Sequence, residues 1–375
     1  MQPVRPKSNL QNCFTSPKAI CKIALHLLNA ICKIALHPNK KQYTKTLTAW
    51  QENVSILTYF LIQKLHNFCL RTDMTNVITT IIPIFTIVVL GWFARSKGFM
   101  PSEFLGPANR LVYYLAIPAM VFRSISKGSL TIQFNFEVIA ITLSAVMIIF
   151  ATAWGAGLIA RVERRRLATF VQSSFHGNLG YIGLAVAYYY LGNEGLVRAS
   201  IIAGFVMILQ NLLAVFVLQL YADGPRVSRH RLFLKILGNP VIISAIAGIL
   251  FSLTEAKTPL VIGRSLDILS SLALPMALLL IGASLSFELV RLRMCSILFV
   301  SLLKLMILPG VGFALYQLFV PAPQDYLPGL ILLTSPTATI TFVMAKEMDG
   351  DADFAVAAIS VSTILSALTF ALWLQ

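Results

Sequence analysis

Long apolar runs separated by short polar loops dominate the chain from residue 74 to its end. A helix needs roughly 20 apolar residues to cross a bilayer core of about 30 Å, and each of these runs approaches or exceeds that length. The pattern predicts an all-α polytopic membrane protein with ten transmembrane helices. The predicted spans are 76–94, 104–125, 136–160, 168–191, 195–221, 232–253, 259–285, 295–320, 326–346 and 354–374.

The composition indicates that lipid is the solvent of this chain. Of its 375 residues, 57% are hydrophobic and only 12% are charged, whereas a soluble domain carries roughly 25% charged residues. A soluble protein of this size would not have enough polar side chains to cover its surface. We therefore expect an integral membrane protein surrounded by a lipid bilayer.

The formal net charge of +15 does not indicate a partner nucleic acid, because the basic residues of the apolar body lie in short loops. They concentrate in the odd-numbered loops, which places those loops in the cytoplasm. With ten spans in the cytoplasmic (inner) membrane, both ends of the 74–375 body then face outward. The odd loops contain Arg95, Lys97, Arg161, Arg164, Arg165, Arg166, Arg226, Arg229, Arg231, Lys235, Arg291, Arg293 and Lys346; the even loops contain Arg123, Lys127, Arg198, Lys257 and Arg264.

Residues 1–73 form an N-terminal extension with a separate pattern. The octapeptide Ala19–His26 recurs unchanged as Ala30–His37, and one duplication is too short to build a solenoid. The extension is either a disordered or membrane-surface segment, such as a basic amphipathic helix, or translated sequence upstream of a start at Met74, which we favour. Four of the five cysteines lie in it without zinc or disulfide spacing, and we expect no metal and no cofactor.

A constant offset of 157 residues relates the two halves of the body, and the matches at one offset without gaps indicate duplication. The halves are 74–222 and 231–375, with five predicted spans each. Because five is odd, the second copy is inverted in the membrane, as in many alternating-access transporters. The same offset takes Arg110 to Asp267, so we expect these two residues on opposite sides of the membrane. The offset also takes Pro83 to Pro240, Gly91 to Gly248, Leu115–Pro118 to Leu272–Pro275, and Leu179 to Pro336.

The fourth and ninth spans carry polar, helix-breaking stretches at their centres. Gly177, Gly180 and Gly183 lower helix stability in the fourth, and Pro336 removes an amide donor from the ninth. A broken backbone in the membrane is tolerated only where protein or a water-filled cavity satisfies it. Two breaks at matching positions therefore predict the substrate site. The alternative is a pair of kinks with small-residue helix packing.

Three stretches carry a family resemblance: FVQSSFHGNLGYIGLAVA (170–187), LPMALLLIGASL (274–285) and SPTATITFVMAKE (335–347). With Asn239-Pro240 opening the sixth span, they are similar to the auxin efflux carrier family, which includes plant auxin carriers and bacterial carriers of malonate and related organic anions. The resemblance covers residues 74–375 and implies ten helices in a five-plus-five inverted arrangement, crossing unwound helices 4 and 9, and a homodimer. Plant members have an Asn-Pro pair at each crossover, whereas this chain has Asn178-Leu179 and Ser335-Pro336.

These features predict a secondary transporter that moves a small organic anion, a carboxylate such as malonate. Half-helix N-termini aimed at a cavity present free amides and about half a positive charge each. Asn178, Thr337 and Thr339 can hydrogen-bond a carboxylate, and neither broken stretch contains an acidic residue that would repel one. The predicted substrate-binding residues are His176, Gly177, Asn178, Leu179, Gly180, Ser335, Pro336, Thr337 and Thr339.

Two ionisable residues within the spans are candidates for coupling transport to protons. His176 lies near mid-membrane, where ionisable groups are costly and usually functional. It either takes up a coupled proton, since imidazole titrates near neutrality, or stays neutral and bonds a carbonyl of its own broken helix. Lys304, inside the eighth span, either snorkels to the cytoplasmic side, which is the favoured alternative, or stabilises a negative substrate from within.

Other functional classes have less support in the sequence. We find no HExxH, nucleophile-elbow or P-loop motif in frame with the spans, and we expect no enzyme. The alternative functions are an anion channel or uniporter and a membrane-embedded sensor. Saturable counterflow distinguishes a carrier from a channel, and a sensor would usually carry a soluble output domain.

Overall fold

The computed structural model describes residues 74–127, 134–222, 238–254, 256, 258–286, 294–320 and 322–374. The expectations for residues 1–73 and for the basic residues of the fifth and seventh loops lie outside these ranges. Within them, all regular secondary structure is helical. This confirms the prediction of a helical membrane protein at the level of fold class.

The first half of the described chain contains six helices. They are α1 (Met74–Ser96), α2 (Ser102–Leu111), α3 (Ile117–Lys127), α4 (Phe136–Ile159), α5 (Arg164–Phe175) and α6 (Leu184–Tyr221). A π-helical turn, Val112–Ala116, joins α2 to α3, and a second π turn, Leu179–Gly183, leads into α6. Inside α6, Gly192 has a φ of 72° that interrupts the helical geometry, a conformation that glycine adopts without a steric penalty.

The second half continues with seven helices among the described residues. They are α7 (Pro240–Leu253), α8 (Leu260–Ala283), α9 (Met294–Leu302), α10 (Leu308–Phe319), α11 (Pro323–Thr334), α12 (Ile340–Glu347) and α13 (Ala352–Trp373). A third π turn, Leu303–Ile307, joins α9 to α10. Non-helical backbone separates α5 from the turn before α6, and α11 from α12, at the two positions where the sequence predicts broken spans.

Several helix starts follow from the local sequence. The Asn239 side chain accepts hydrogen bonds from the amides of Val241 and Ile242 at 2.9 and 3.4 Å, and Pro240 occupies the first helical position of α7. Asparagine is a favoured N-cap and proline a favoured first residue. Asn135 and Asp351 cap α4 and α13 in the same manner.

Six of the described helical runs are long and apolar enough to cross a membrane. They are Thr79–Ser96, Phe136–Ile159, Leu179–Tyr221, Leu260–Ala283, Met294–Phe319 and Ala352–Trp373. Many large apolar side chains on these helices remain exposed, among them Ile82, Val89 and Leu368, as expected of surfaces that face lipid. The remaining predicted spans are built from shorter helices, and ten crossings stay a prediction.

Glycines bring α1 and α8 into backbone contact. A Cβ atom at Gly91 of α1 would overlap the main chain of Leu279, and one at Gly282 of α8 would overlap the main chain of Val88. Small residues allow such approaches between membrane helices, whose association depends on close packing. The two glycines therefore fix the contact between these helices.

We expect Gly282→Ala to destabilise the protein, because main-chain atoms of α1 cannot move aside as a flexible side chain would. Overpacking of this kind costs about 1–3 kcal/mol. Thermal unfolding in detergent measures the effect. The matched control is Gly155→Ala in α4, where a Cβ meets no atom within 4 Å and helix propensity improves by up to about 1 kcal/mol. Equal melting temperatures for both variants would contradict the packing described.

Candidate functional site

The two broken segments, His176–Asn178 and Ser335–Thr339, cross each other and pair through their backbones; together they are called the crossover. The amide of Asn178 donates to the carbonyl of Pro336 at 2.7 Å, and the amide of Ala338 donates to the carbonyl of His176 at 2.9 Å. These two bonds form an isolated antiparallel bridge centred on Gly177 and Thr337. The crossing pair is therefore Gly177 and Thr337, close to the Leu179–Pro336 match expected from the offset.

The carbonyls at the end of α5 find partners on other segments. The last carbonyls of a helix have no partner within it. The side chain of Gln210, on α6, donates to the carbonyl of Phe175 at 3.0 Å. The Thr337 hydroxyl donates to the carbonyl of Ser173 at 2.9 Å. Both broken segments are thus bound to their surroundings at the point where helical bonding stops.

Lys304 lies beside the crossover, in the π turn between α9 and α10. Its side chain is 0% exposed, and Nζ donates to the carbonyl of Leu333, near the end of α11, at 2.9 Å. Gly177 adjoins it, because a Cβ there would lie 3.2 Å from Nζ. The ammonium group therefore faces the partially negative C-terminal end of α11. The expectation that Lys304 snorkels to the cytoplasmic side is wrong.

A cavity of about 860 Å³ opens on one side of the crossover; it is called the crossover cavity. Two arginines, Arg95 and Arg110, line it, and among the described lining residues none is Asp or Glu. The starts of both half-helices that follow the breaks also line it, at Leu179–Tyr181 and Ala338–Ile340. The first amides of a helix lack intrahelical partners and carry partial positive charge. The lining therefore favours a negatively charged occupant.

Asn178 presents the clearest polar group in this cavity. Its side chain is 6% exposed and lines the cavity, yet its Nδ2 finds no acceptor among the described residues. An unsatisfied buried donor costs about 1–3 kcal/mol. A ligand that supplies an acceptor oxygen would remove that cost.

His176 lies in the same lining, 4% exposed. Its ring stacks against Phe175 with 6.1 Å between ring centroids. The Nε2 of Gln172 lies 3.5 Å from its Nδ1. Its ring therefore neighbours a side-chain amide of α5, while its backbone carbonyl accepts the crossover bond from Ala338.

The predicted site residues fall into two groups in the structure. Those lining the crossover cavity are His176, Gly177, Asn178, Leu179, Gly180 and Thr339. Ser335, Pro336 and Thr337 lie in the packed layer behind it: the Ser335 hydroxyl donates to the carbonyl of Ile331, and the Thr337 hydroxyl is engaged by Ser173. Of the two coupling candidates, His176 faces the cavity and Lys304 lies behind it.

Sequence reasoning did not include several residues that line the cavity. The hydropathy pattern places Arg95 in a loop, and the offset relates Arg110 only to Asp267. No sequence pattern singles out Asn109 or Tyr181, although the Tyr181 hydroxyl donates to Asn109 Oδ1 at 3.3 Å across the lining. Asn109 and Arg110 share one signal, since both lie on the α2–α3 run that lines the crossover cavity, whereas Arg95 and Tyr181 lie on other segments.

Comparison with known proteins assigns the chain to a family. The family described as membrane transport protein matches residues 76–230 and 222–374. The chain therefore belongs to this family, which confirms the resemblance to auxin efflux carriers. Membership identifies a membrane protein with a role in transport.

Curated relatives match nearly the whole body. A "Putative malonate transporter" of Rhizobium meliloti is 25% identical over 303 residues, which cover 79% of this chain and 94% of that protein. An "Uncharacterized transporter" of Methanothermobacter thermautotrophicus is 25% identical over 300 residues, 78% and 96% of the two chains. An uncharacterized transporter of Methanocaldococcus jannaschii is 26% identical over 302 residues, 77% and 95%.

We expect Thr337→Val to destabilise the crossover, because valine keeps the shape of threonine but leaves the carbonyl of Ser173 without this buried donor. The loss is about 1–3 kcal/mol, measured as a lower melting temperature in detergent. Thr152→Val is the matched control, since that hydroxyl bonds within its own helix, to Ile148, at an exposed position. If both variants melt alike, the Thr337 bond does not hold the segments together.

Proposed function

We propose that this member of the membrane transport protein family is a secondary transporter that moves a small organic anion, a carboxylate such as malonate, across the cytoplasmic membrane by alternating access. The observation that carries the proposal is the pairing of two broken helices beside a cavity with basic and amide groups. In many transporters, the unwound backbone of broken membrane helices forms the substrate site.

We also propose the arrangement of the helices: ten spans in two inverted five-helix repeats, with both ends of the 74–375 body facing outward. Helix contacts support the repeat. Moving 157 residues along the chain takes Gly91 to Gly248 and takes Leu279 back to Phe122. Gly91 contacts the main chain of Leu279, and Gly248 lies against the main chain of Phe122. Exchanging the halves thus converts one helix contact into the other, as a two-fold relation requires.

The charge and hydrogen-bonding groups of the crossover cavity favour a carboxylate. In the proposed complex, Asn178 Nδ2 and the first amides of the half-helices donate to the carboxylate oxygens. Arg95 and Arg110 supply positive charge along the approach to the site. A guanidinium group can bind a carboxylate through two parallel hydrogen bonds. The name of the Rhizobium relative supports malonate as the first substrate to try.

Thr339 completes the proposed contacts from the second broken segment. It lies at the start of α12 and lines the same cavity as Leu179 and Gly180. Ser335, Pro336 and Thr337 act behind this wall, where their backbone and hydroxyl groups hold the segment in place. Their contribution to binding is to fix the geometry of the wall.

A homodimer, which the family resemblance implies, is also part of the proposal.

Coupling to protons is a second element of the proposal. His176 is the candidate that faces the cavity, so a proton and an anion could occupy adjacent positions. Lys304 lies behind Gly177, and its ammonium group stabilises the end of α11. We assign Lys304 to supporting the crossover and His176 to exchange with the cavity.

Replacing Asn178 with alanine should abolish uptake of labelled malonate, or of the acid that proves to be the substrate, while expression stays normal. Asn211→Ala is the matched control, because Asn211 also lines the cavity but its Nδ2 already donates to the carbonyl of Met207 at 2.8 Å. We expect that variant to keep most of its uptake. Transport of cations alone by the wild-type protein would contradict the proposal.

His176→Gln tests the coupling role. Glutamine keeps hydrogen-bonding capacity but takes up no proton near neutrality. We expect uptake by this variant to lose the dependence on external pH between about 5 and 8, the range in which histidine usually titrates. Initial rates in proteoliposomes across that range give the profile. A variant whose pH profile matches the wild type would remove His176 from the mechanism.

A further inference from the structure

A second cavity, of about 620 Å³, lies at the other ends of the same two helical runs. The crossover cavity is lined by positions between Leu105 and Ile117 on the α2–α3 run, and by the end of α8 with the residues that follow it, between Leu280 and Ser286. The second cavity is lined instead by the end of α3 and by the earlier part of α8. Its lining residues on these helices are Met120, Arg123, Ser124, Lys127, Asp267, Ser270, Ser271, Leu274 and Pro275.

The 157-residue offset relates the two linings along the wall that the α2–α3 run and α8 form. Positions that line the crossover cavity correspond to positions that line the second cavity, although nothing in the hydropathy pattern requires this. On this wall, the second cavity is therefore the counterpart of the crossover cavity under the offset. The corresponding positions are Arg110 and Asp267, Tyr113 and Ser270, Tyr114 and Ser271, Ile117 and Leu274, Leu280 and Arg123, Ile281 and Ser124, and Ser284 and Lys127.

The two cavities differ in charge at these corresponding positions. In the second cavity, Asp267 forms a two-bond pair with Arg123, at 2.8 and 3.0 Å, and a third bond with Lys127 at 3.0 Å. Glu194 adds another acid to that lining. The crossover cavity has Arg110 where the second has Asp267. Its described lining includes two arginines and no acid.

We propose that the second cavity is the anion's access path on the opposite face of the membrane, and that Asp267 makes this path bind the anion more weakly than the crossover cavity does. This rests on the proposed function, since it presupposes an anionic substrate. Asp267 forms ion pairs with Arg123 and Lys127, the cationic groups that would otherwise attract a carboxylate. The transporter is then asymmetric: the anion is held at the face of Arg110 and released at the face of Asp267.

The local potential of each cavity can be measured without a substrate. In a full-length background with Cys13, Cys21, Cys32, Cys69 and Cys295 replaced by serine, one thiol is introduced at Ser271, in the second cavity, or at Ser284, in the crossover cavity. Both positions are exposed within their cavities. Each thiol is then treated with an anionic methanethiosulfonate (ethylsulfonate) and a cationic one (ethyltrimethylammonium). The ratio of the two labelling rates reports the potential.

We expect the anionic-to-cationic ratio to be higher at Ser284→Cys than at Ser271→Cys. Adding Asp267→Asn should raise the ratio at Ser271→Cys by about threefold in 0.1 M salt, because residues four apart on a helix are about 6 Å apart and the charge is partly screened. The ratio at Ser284→Cys should not change. Asp267→Glu keeps the negative charge, so the labelling ratio at Ser271→Cys should equal the original one. This variant also shows whether a substitution at position 267 changes the ratio through misfolding.

Asp325→Asn is the matched control, since it removes a carboxylate bonded to Arg198 at another site and should leave both ratios unchanged. A Ser271→Cys thiol that neither reagent labels from either face would overturn the access path. Equal labelling ratios at Ser271→Cys in the presence of Asp267 and of Asp267→Asn would overturn the proposed role of Asp267. If the ratios behave as expected but no carboxylate is transported, the proposed function fails while the charge asymmetry of the two cavities stands.

Discussion

The structure depends on one constraint: peptide groups released from a helix inside the membrane must find other partners. At the crossover, the two broken segments supply partners to each other, through the bonds of Asn178 with Pro336 and of Ala338 with His176. Side chains from neighbouring helices bond further carbonyls at the ends of α5 and α11. Protein groups therefore stabilise the break, and the half-helices that start beside it line a cavity.

This arrangement links stability to the proposed function. Lys304 illustrates the link, because a buried ammonium group is costly unless it is bonded. Here it bonds a helix-end carbonyl and adjoins Gly177, where no side chain intervenes. It thus supports the C-terminal side of the crossover, while the proposed anion would lie at the N-terminal sides of the half-helices. Asn178 differs, since its backbone amide donates across the crossover while its side-chain Nδ2 has no acceptor among the described residues.

Much of this fold follows from local sequence. Hydropathy predicts the helical membrane protein, and the glycines and Pro336 predict both breaks, whereas α7 starts at Pro240, inside the predicted span 232–253. Other features depend on where separate helices meet. The position of Lys304 in its span favours snorkelling to the cytoplasmic side. Its burial follows from the packing of its π turn and α10 against α11, which the sequence of one segment does not reveal. The sequence predicts that Thr337 contacts the substrate, but its hydroxyl donates to the carbonyl of Ser173. Arg95 and Arg110 line the same cavity, and the local sequence around neither residue predicts this.

The central claim is that the crossover is the site of a carrier for a small organic anion. Counterflow in proteoliposomes tests it most directly, with a panel of unlabelled carboxylic acids inside and labelled malonate outside, with and without a proton gradient. The account predicts saturable, transient accumulation of label, driven by internal carboxylate. The absence of counterflow for every carboxylate, or single-channel currents in its place, would contradict it.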